Sequence, residues 1–183
     1  LRSEENYEEF KKDLATTNVF IASLIFIEKL AQKVVAAVEP HRDNFDVAVC
    51  FPSMPEVMRL NKMGSFSLAN LGQSKSAIAS FMKKRKEKSG SSFQDGMLKL
   101  LRTLPSVLKY LPVEKAQDAR NFMLSFQYWL GGSSENLENF LLMLADKYVL
   151  KDVDQSNFAF VKEYQPPVVY PDMGIWHPLA TTM

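Results

Sequence analysis

One cysteine, two histidines, seven glycines and a net charge of +1 are what this sequence offers in short supply. A single thiol, Cys50, forms no internal disulfide, and with only His41 and His177 beside it there is no Cys/His set at structural-zinc spacing. Such sparing use of cysteine suits a reducing compartment. Near-neutral charge predicts no general attraction to nucleic acid or to an anionic membrane. The apolar run from Val19 to Ile27 is cut by Ser23 and followed by Glu28 and Lys29, too short for a transmembrane segment. The phosphate-loop pattern GxxxxGK[ST] is absent: "LGQSKS" at 71–76 has no strand before it, and the glycines of "GGSSEN" at 131–136 read as a helix stop. No targeting segment is visible, and the chain opens on Leu1 and closes after "GIWHPLATTM", so both ends are expected to be cuts in a longer protein.

What is present suits a folded domain: 183 residues, 46% hydrophobic and 23% charged, bury a real core. Residues 3–14 carry a serine, acidic residues, then Tyr7, Phe10 and Leu14 at helical spacing. "NVFIASL" at 18–24 reads as a strand buried on both faces, and Ile27, Leu30, Ala31, Val34, Val35 and Val38 form one helical stripe closed by Pro40. "FDVAVCF" at 45–51 is a second strand. Strand, helix, strand implies a right-handed crossover and a parallel pair. The fold class expected is therefore α/β, with a parallel Rossmann/flavodoxin-like sheet portion over residues 1–60. A mainly helical region over 61–150 packs on it, and a proline-rich linker over 151–183 leads toward a next domain. Helices are predicted from Pro55 to Leu60, from Ser76 to Lys86, around Met97–Leu111, around Ala116–Leu130 and from Ser133 or Ser134 to Tyr148, with a strand possible in "NFAFVKEY".

Ligands of open parallel sheets sit outside the carboxyl ends of the strands, and the segment after the second strand, "FPSMPEVMRLNK", occupies that position. Pro52 and Pro55 fix two φ angles, presenting Ser53 and Met54 on a stiff turn, with Glu56 in the first helical turn. Glu56, Arg59 and Lys62 are spaced for a helical ion-pair face, and Asn61 and Lys62 are candidate anion contacts. A structural strand-to-helix joint is the competing reading of the same residues. Trp176 and His177, in a proline-framed loop, suit a flat ligand or a neighbouring domain. The mixed face around Arg120 and Asn121 is a candidate protein contact. The basic cluster Lys83, Lys84, Arg85, Lys86 and Lys88 lacks the stacking aromatics of a nucleic-acid site and reads as a solvated loop. Cys50 reads as a small buried hydrophobe, and no catalytic or metal-binding residue emerges.

"FIASLIFIEKLA", "FPSMPEVMRLNKMGSFS", "LGQSKSAIASFMKKRK", "KAQDARNFMLSFQYWLGGSSENLENFLLML" and "GIWHPLATTM" together resemble the large porphyrin-binding H subunit of magnesium chelatase, related to the large subunit of cobaltochelatase. The likeness covers nearly the whole chain and is more specific than any short motif. It implies ATP-dependent insertion of Mg²⁺ into protoporphyrin IX, the first committed step toward chlorophyll. Both are substrates of the full subunit, ATP belongs to partner ATPase motor subunits, and no cofactor is expected in this piece itself. The partners implied are those motor subunits, an accessory porphyrin-binding protein and the remaining domains of the H subunit. The resemblance places this chain in an N-terminal, non-catalytic region and marks Ser53, Glu56, Arg59, Asn61, Lys62, Trp176 and His177 as signature positions. Thr181 stands where the family usually has proline. The wording of "LADKYVLKDVDQSNF" departs from the plant pattern, which points to a cyanobacterial cytoplasm, with the chloroplast stroma as the plant alternative.

Overall fold

The computed structural model describes residues 3–67, 104–106 and 108–168. The first helix, α1 (Glu4–Leu14), is capped by Ser3, whose hydroxyl accepts from the Asn6 N–H, and Glu4 and Glu5 lie at the end where the helix dipole favours acid. Strand β1 (Val19–Ala22) follows, then α2 (Glu28–Val38), which buries Ala31, Val34, Ala37 and Val38. Pro40 stands in the first turn of a 3-10 helix, Glu39–Asn44, where its missing N–H leaves no bond unmade. Strand β2 (Val47–Cys50) is buried at every position.

β1 and β2 pair in parallel, Val19 beside Val47 and Ala22 beside Cys50, with α2 as their crossover. The expected parallel sheet goes no further. After β2 come a single helical turn, α3 (Pro55–Met58), and a small hairpin of β3 (Lys62–Met63) and β4 (Phe66–Ser67). β3 runs antiparallel to β2 and β4 antiparallel to β3, in the order β1-β2-β3-β4. The sheet is thus small, mixed and mostly antiparallel, which overturns the Rossmann/flavodoxin-like reading. A parallel return needs a crossover of about a dozen residues that carries the chain back along the sheet. Residues 51–61 hold only one helical turn, so the next strand starts at the rim where β2 ended. Among the described residues β1 is also an edge strand, with unequal faces: Phe20 and Ala22 are buried while Ile21 is 36% exposed, against the expectation of burial on both sides.

Alternation along β2 separates two cores. Ala48 and Cys50 face α1, α2 and α3 with Leu14, Phe20, Val34, Val38 and Val57. Val47, Val49 and Phe51 face the opposite layer, where α4 (Glu114–Gly131) and α5 (Ser134–Leu144) bring Phe122, Phe126, Phe140 and Met143. Gly132 ends α4 at φ +63°, the left-handed conformation glycine adopts without strain, and the Ser133 hydroxyl caps α5 by accepting from the Asn136 N–H. A Cβ on Gly131 would stand 2.1 Å from Asn136 Nδ2, so that joint closes only around glycine.

A π-helical turn, Ala145–Val149, continues α5, and a 3-10 helix, Gln155–Glu163, replaces the possible strand. Asp154 starts it by accepting from the Ser156 N–H at 3.0 Å. The proline-rich stretch then leans on the chain's own helices: Tyr128 donates to the Gln165 carbonyl, Asn139 accepts the Gln165 N–H at 2.7 Å, and Asn136 accepts the Val168 N–H at 2.9 Å. The helix expected over 76–86 and the basic cluster lie outside the described residues.

Candidate functional site

The proline-bounded corner does open at the carboxyl ends of β1 and β2, and its polar groups are turned to neighbouring backbone. Ser53 Oγ accepts the Ile25 N–H at 3.1 Å, Met54 N–H donates to the Ile25 carbonyl at 2.9 Å, and Leu24 N–H donates to the Pro52 carbonyl at 3.0 Å. These bonds extend the parallel pairing past the strand ends, with a serine hydroxyl in place of one carbonyl. Leu24 adopts φ +57°, a left-handed conformation that a leucine holds only under external restraint.

Asn61 is wholly buried. Its Oδ1 accepts the Cys50 N–H at 2.7 Å, and its Nδ2 donates to the carbonyls of Cys50 at 3.0 Å and Met58 at 2.9 Å. The side chain therefore stands in for β3 beside Cys50, whose other edge pairs with Ala22 of β1. Lys62 Nζ donates to the carbonyls of Phe45 (2.7 Å), Asp43 (3.0 Å) and Arg42 (3.4 Å), a cation at the carbonyl end of the 3-10 helix. Arg42 in turn donates to the Leu60 carbonyl and the Ser67 hydroxyl, tying the same helix to the β4 end. The ion-pair face expected of Glu56, Arg59 and Lys62 does not form: among the described residues Glu56 and Arg59 enter no ion pair, and Lys62 goes to carbonyls. Arg59 is exposed and Glu56 half-buried. Trp176 and His177 lie outside the described residues.

A second polar cluster, not anticipated from the sequence, joins the hairpin to the helical layer. Both the backbone N–H and the hydroxyl of Ser65 donate to Asp118 Oδ2 at 2.8 Å, and Tyr148 donates to Oδ1 at 2.8 Å. Asn121 Nδ2 completes the chain by donating to the Tyr148 oxygen at 3.0 Å. Burial lifts the Tyr148 phenol well above the tyrosine range; the Asn121 bond opposes this and the Asp118 carboxyl adds to it. Gly64, at φ +52°, lets the turn come this close, since a Cβ there would stand 2.5 Å from Asp118 Oδ2. The sequence did hold a signal: Asp118, Asn121 and Ser125 form a polar stripe at helical spacing beside the apolar one on α4.

Asn121 is therefore internal, while Arg120, the other residue named for a contact face, is half-buried. Arg120 lines a cleft of about 120 Å³ with Leu124, Tyr128, Met143, Tyr164 and Pro166, and its Nε is buried with no hydrogen-bond partner among the described residues. Ligand pockets span roughly 300 to 1,000 Å³, so this cleft admits a few waters or a small ion and excludes a tetrapyrrole. Burial pushes the Tyr128 phenol up to about 12, with the nearby Arg120 charge opposing. Burial likewise pushes the Cys50 thiol up to about 12, which makes it an inert hydrophobe. Among the described residues, no group of three His, Cys, Asp or Glu side chains is placed to hold a metal ion.

Two family descriptions match in succession: "Domain of unknown function (DUF3479)" over residues 1–123 and "CobN/Magnesium Chelatase" over residues 126–183. Among curated relatives, the chloroplastic magnesium-chelatase subunit ChlH of Oryza sativa subsp. indica is 58% identical over all of this chain. The chain belongs to the magnesium-chelatase H-subunit family. The corresponding magnesium-chelatase protein of Rhodobacter capsulatus is 33% identical over 88% of the chain, and that of Chlorobaculum parvum 29% over 71%. The chain spans about 13% of the length of the rice relative. The seam between the two descriptions falls inside α4, a continuous helix buried at every position from Asn121 to Phe126, so the family's two sequence regions share a single core here. Among the described residues of this H-subunit segment, no helix is long and apolar enough to cross a membrane.

Proposed function

We propose that this chain is a supporting, non-catalytic portion of the H subunit of a magnesium chelatase, the assembly that inserts Mg²⁺ into protoporphyrin IX while partner subunits hydrolyse ATP. The observation that carries this is the 58% identity, over the whole chain, to a protein named as that subunit. The geometry at the corner suits a supporting role, since Ser53, Asn61 and Lys62 spend their polar atoms on backbone. Mg²⁺ and protoporphyrin IX are substrates handled elsewhere in the subunit, and ATP belongs to the motor subunits. The exposed Arg59 is the member of the corner with charge to offer a porphyrin propionate, and Trp176 and His177 keep the same contact role. The proposed location is the cytoplasm of a cyanobacterium or, in a plant, the chloroplast stroma, the compartment class named for the rice relatives.

A second reading, an interaction module for the motor subunits or an accessory porphyrin-binding protein, is favoured by one observation. Leu137 and Leu141, one turn apart on α5, and Leu130 at the end of α4 are apolar and 37 to 55% exposed. The experiment is Arg59→Glu in the full-length H subunit, read by porphyrin quenching of tryptophan fluorescence and by Mg²⁺ insertion with the motor subunits added. The contact role predicts porphyrin affinity weakened about threefold, the scale of one exposed ion pair, at unchanged melting temperature. Unchanged affinity removes Arg59 from the porphyrin; a full-length protein that neither binds porphyrin nor supports insertion removes the family reading itself.

A further inference from the structure

We propose that the open edge of β1 is covered, in the complete subunit, by a parallel strand that lies upstream of α1 in the same polypeptide. Three observations converge on this occupant. The first is the chemistry of the edge. Ala22 accepts from the Phe51 N–H and Leu24 donates to the Pro52 carbonyl, so even-numbered residues turn their backbone toward β2. By alternation, the N–H and C=O groups of Val19, Ile21 and Ser23 point outward, and among the described residues no strand pairs with them. Exposed edges are normally blunted by lysine, proline or a bulge. Residues 19–27, "VFIASLIFI", contain neither charge nor proline.

The second observation is apolar exposure at the same place. Ile21 is 36% exposed, Leu24 65%, Phe26 60% and Ile27 68%. Ile21 belongs to β1 and the other three to the segment that runs from its carboxyl end to the start of α2, four large exposed apolar side chains within seven residues.

The third observation selects the occupant. α1 and α2 lie on the same face of the sheet: Phe10 of α1 meets Phe20 of β1 at 6.4 Å, the Tyr7 hydroxyl donates to the Lys33 carbonyl of α2, and Leu14 shares a core with Val34 and Val38. α2 carries β1 to the parallel β2, a connection that is right-handed in nearly all folds and so moves the sheet in one direction. A helix on the same face that feeds β1 moves it in that same direction if it too is the crossover of a right-handed unit. The strand before α1 then stands on the far side of β1, against the open edge. The chain spans about 13% of the length of its rice relative, so a complete subunit of that length holds ample chain outside these residues. The sheet remains mixed, since β3 and β4 keep their antiparallel order.

The test uses the full-length H subunit as a monomer. Replacing Ile21 with the photo-crosslinker p-benzoylphenylalanine and mapping the adduct by mass spectrometry is expected to place it upstream of α1. Residue-resolved amide exchange on the unmodified protein is expected to show Val19, Ile21 and Ser23 slowed at least tenfold relative to an unpaired strand edge. An adduct within these 183 residues, farther downstream or in a second molecule overturns the assignment. So does rapid exchange at all three amides, which would mean that the patch is bare or is covered without strand pairing.

Discussion

The two faces of the sheet are closed by different physics. The α1, α2 and α3 side is built from chain neighbours, residues 7–60, and its heart is small: Ala31, Val34, Ala37, Val38, Ala48 and Cys50. The α4 and α5 side is aromatic, with Phe51 stacked on Trp129 at 4.3 Å and edge-on to Phe126 at 5.2 Å and Phe140 at 5.6 Å. It also holds most of the buried polar side chains, among them Asp118, Asn121, Ser125, Asn136 and Asn139. Its closing bond, Ser65 to Asp118, spans 53 residues. One face is held mainly by close fit between local segments, with the Phe10, Phe20 and Phe45 rings among them, the other by a larger set of ring contacts and by hydrogen bonds between distant segments, so the two should fail differently.

The largest separation is expected from truncation of each core. Phe51→Ala removes the ring that three others touch and should destabilise by about 3 to 5 kcal/mol, lowering the melting temperature by on the order of 10 °C. Val34→Ala on the opposite face should cost about 2 kcal/mol. Equal losses in thermal denaturation would erase the distinction. Asp118→Asn keeps shape while presenting an N–H₂ to donors that need an acceptor, and should cost roughly 1 to 3 kcal/mol. Rapid amide exchange at Ser65 with β1 and β2 still protected would confirm that only the second face has loosened.

The smallest effect is that of pH. Cys50, at about 12 in the fold against its ordinary 9.0, and Tyr128, at about 12 against 10.0, both hold their protons longer folded than unfolded. The unfolded chain binds fewer protons once pH passes 9, so stability is fully present below that value and falls as pH rises toward 12. Cys50→Ala should flatten the first part of that decline in melting temperature. A decline of the same slope in the variant would assign it to other groups.

What the sequence disclosed follows the same division. Ser3 before the acids, the stripe of α2, the parallel β1/β2 pair, the glycine stop at Gly132 and the Ser133 cap were all legible, because each is set by neighbours within a turn or by one crossover. The β3/β4 hairpin was missed because its strands are two residues each, too short for a period to show; Gly64-Ser65 between Met63 and Phe66 was the available hairpin cue. Missing it led to the wrong sheet. At the corner, the sequence located Ser53, Asn61 and Lys62 but not their use, since a polar residue bonded to distant backbone and one awaiting a ligand have the same letters. The Asp118 cluster depends on a partner 53 residues away that no local pattern reveals.

The central proposal is that this segment supports the chelatase and supplies none of the groups that carry out metal insertion. Its most direct test is Asp118→Asn in the full-length H subunit, measuring melting temperature alongside the rate of Mg²⁺ insertion per folded molecule with the motor subunits present. The account predicts a lowered melting temperature for the cooperative unit that contains this segment, with an unaltered rate per folded molecule at low temperature. An unchanged melting temperature with a collapsed rate would contradict it.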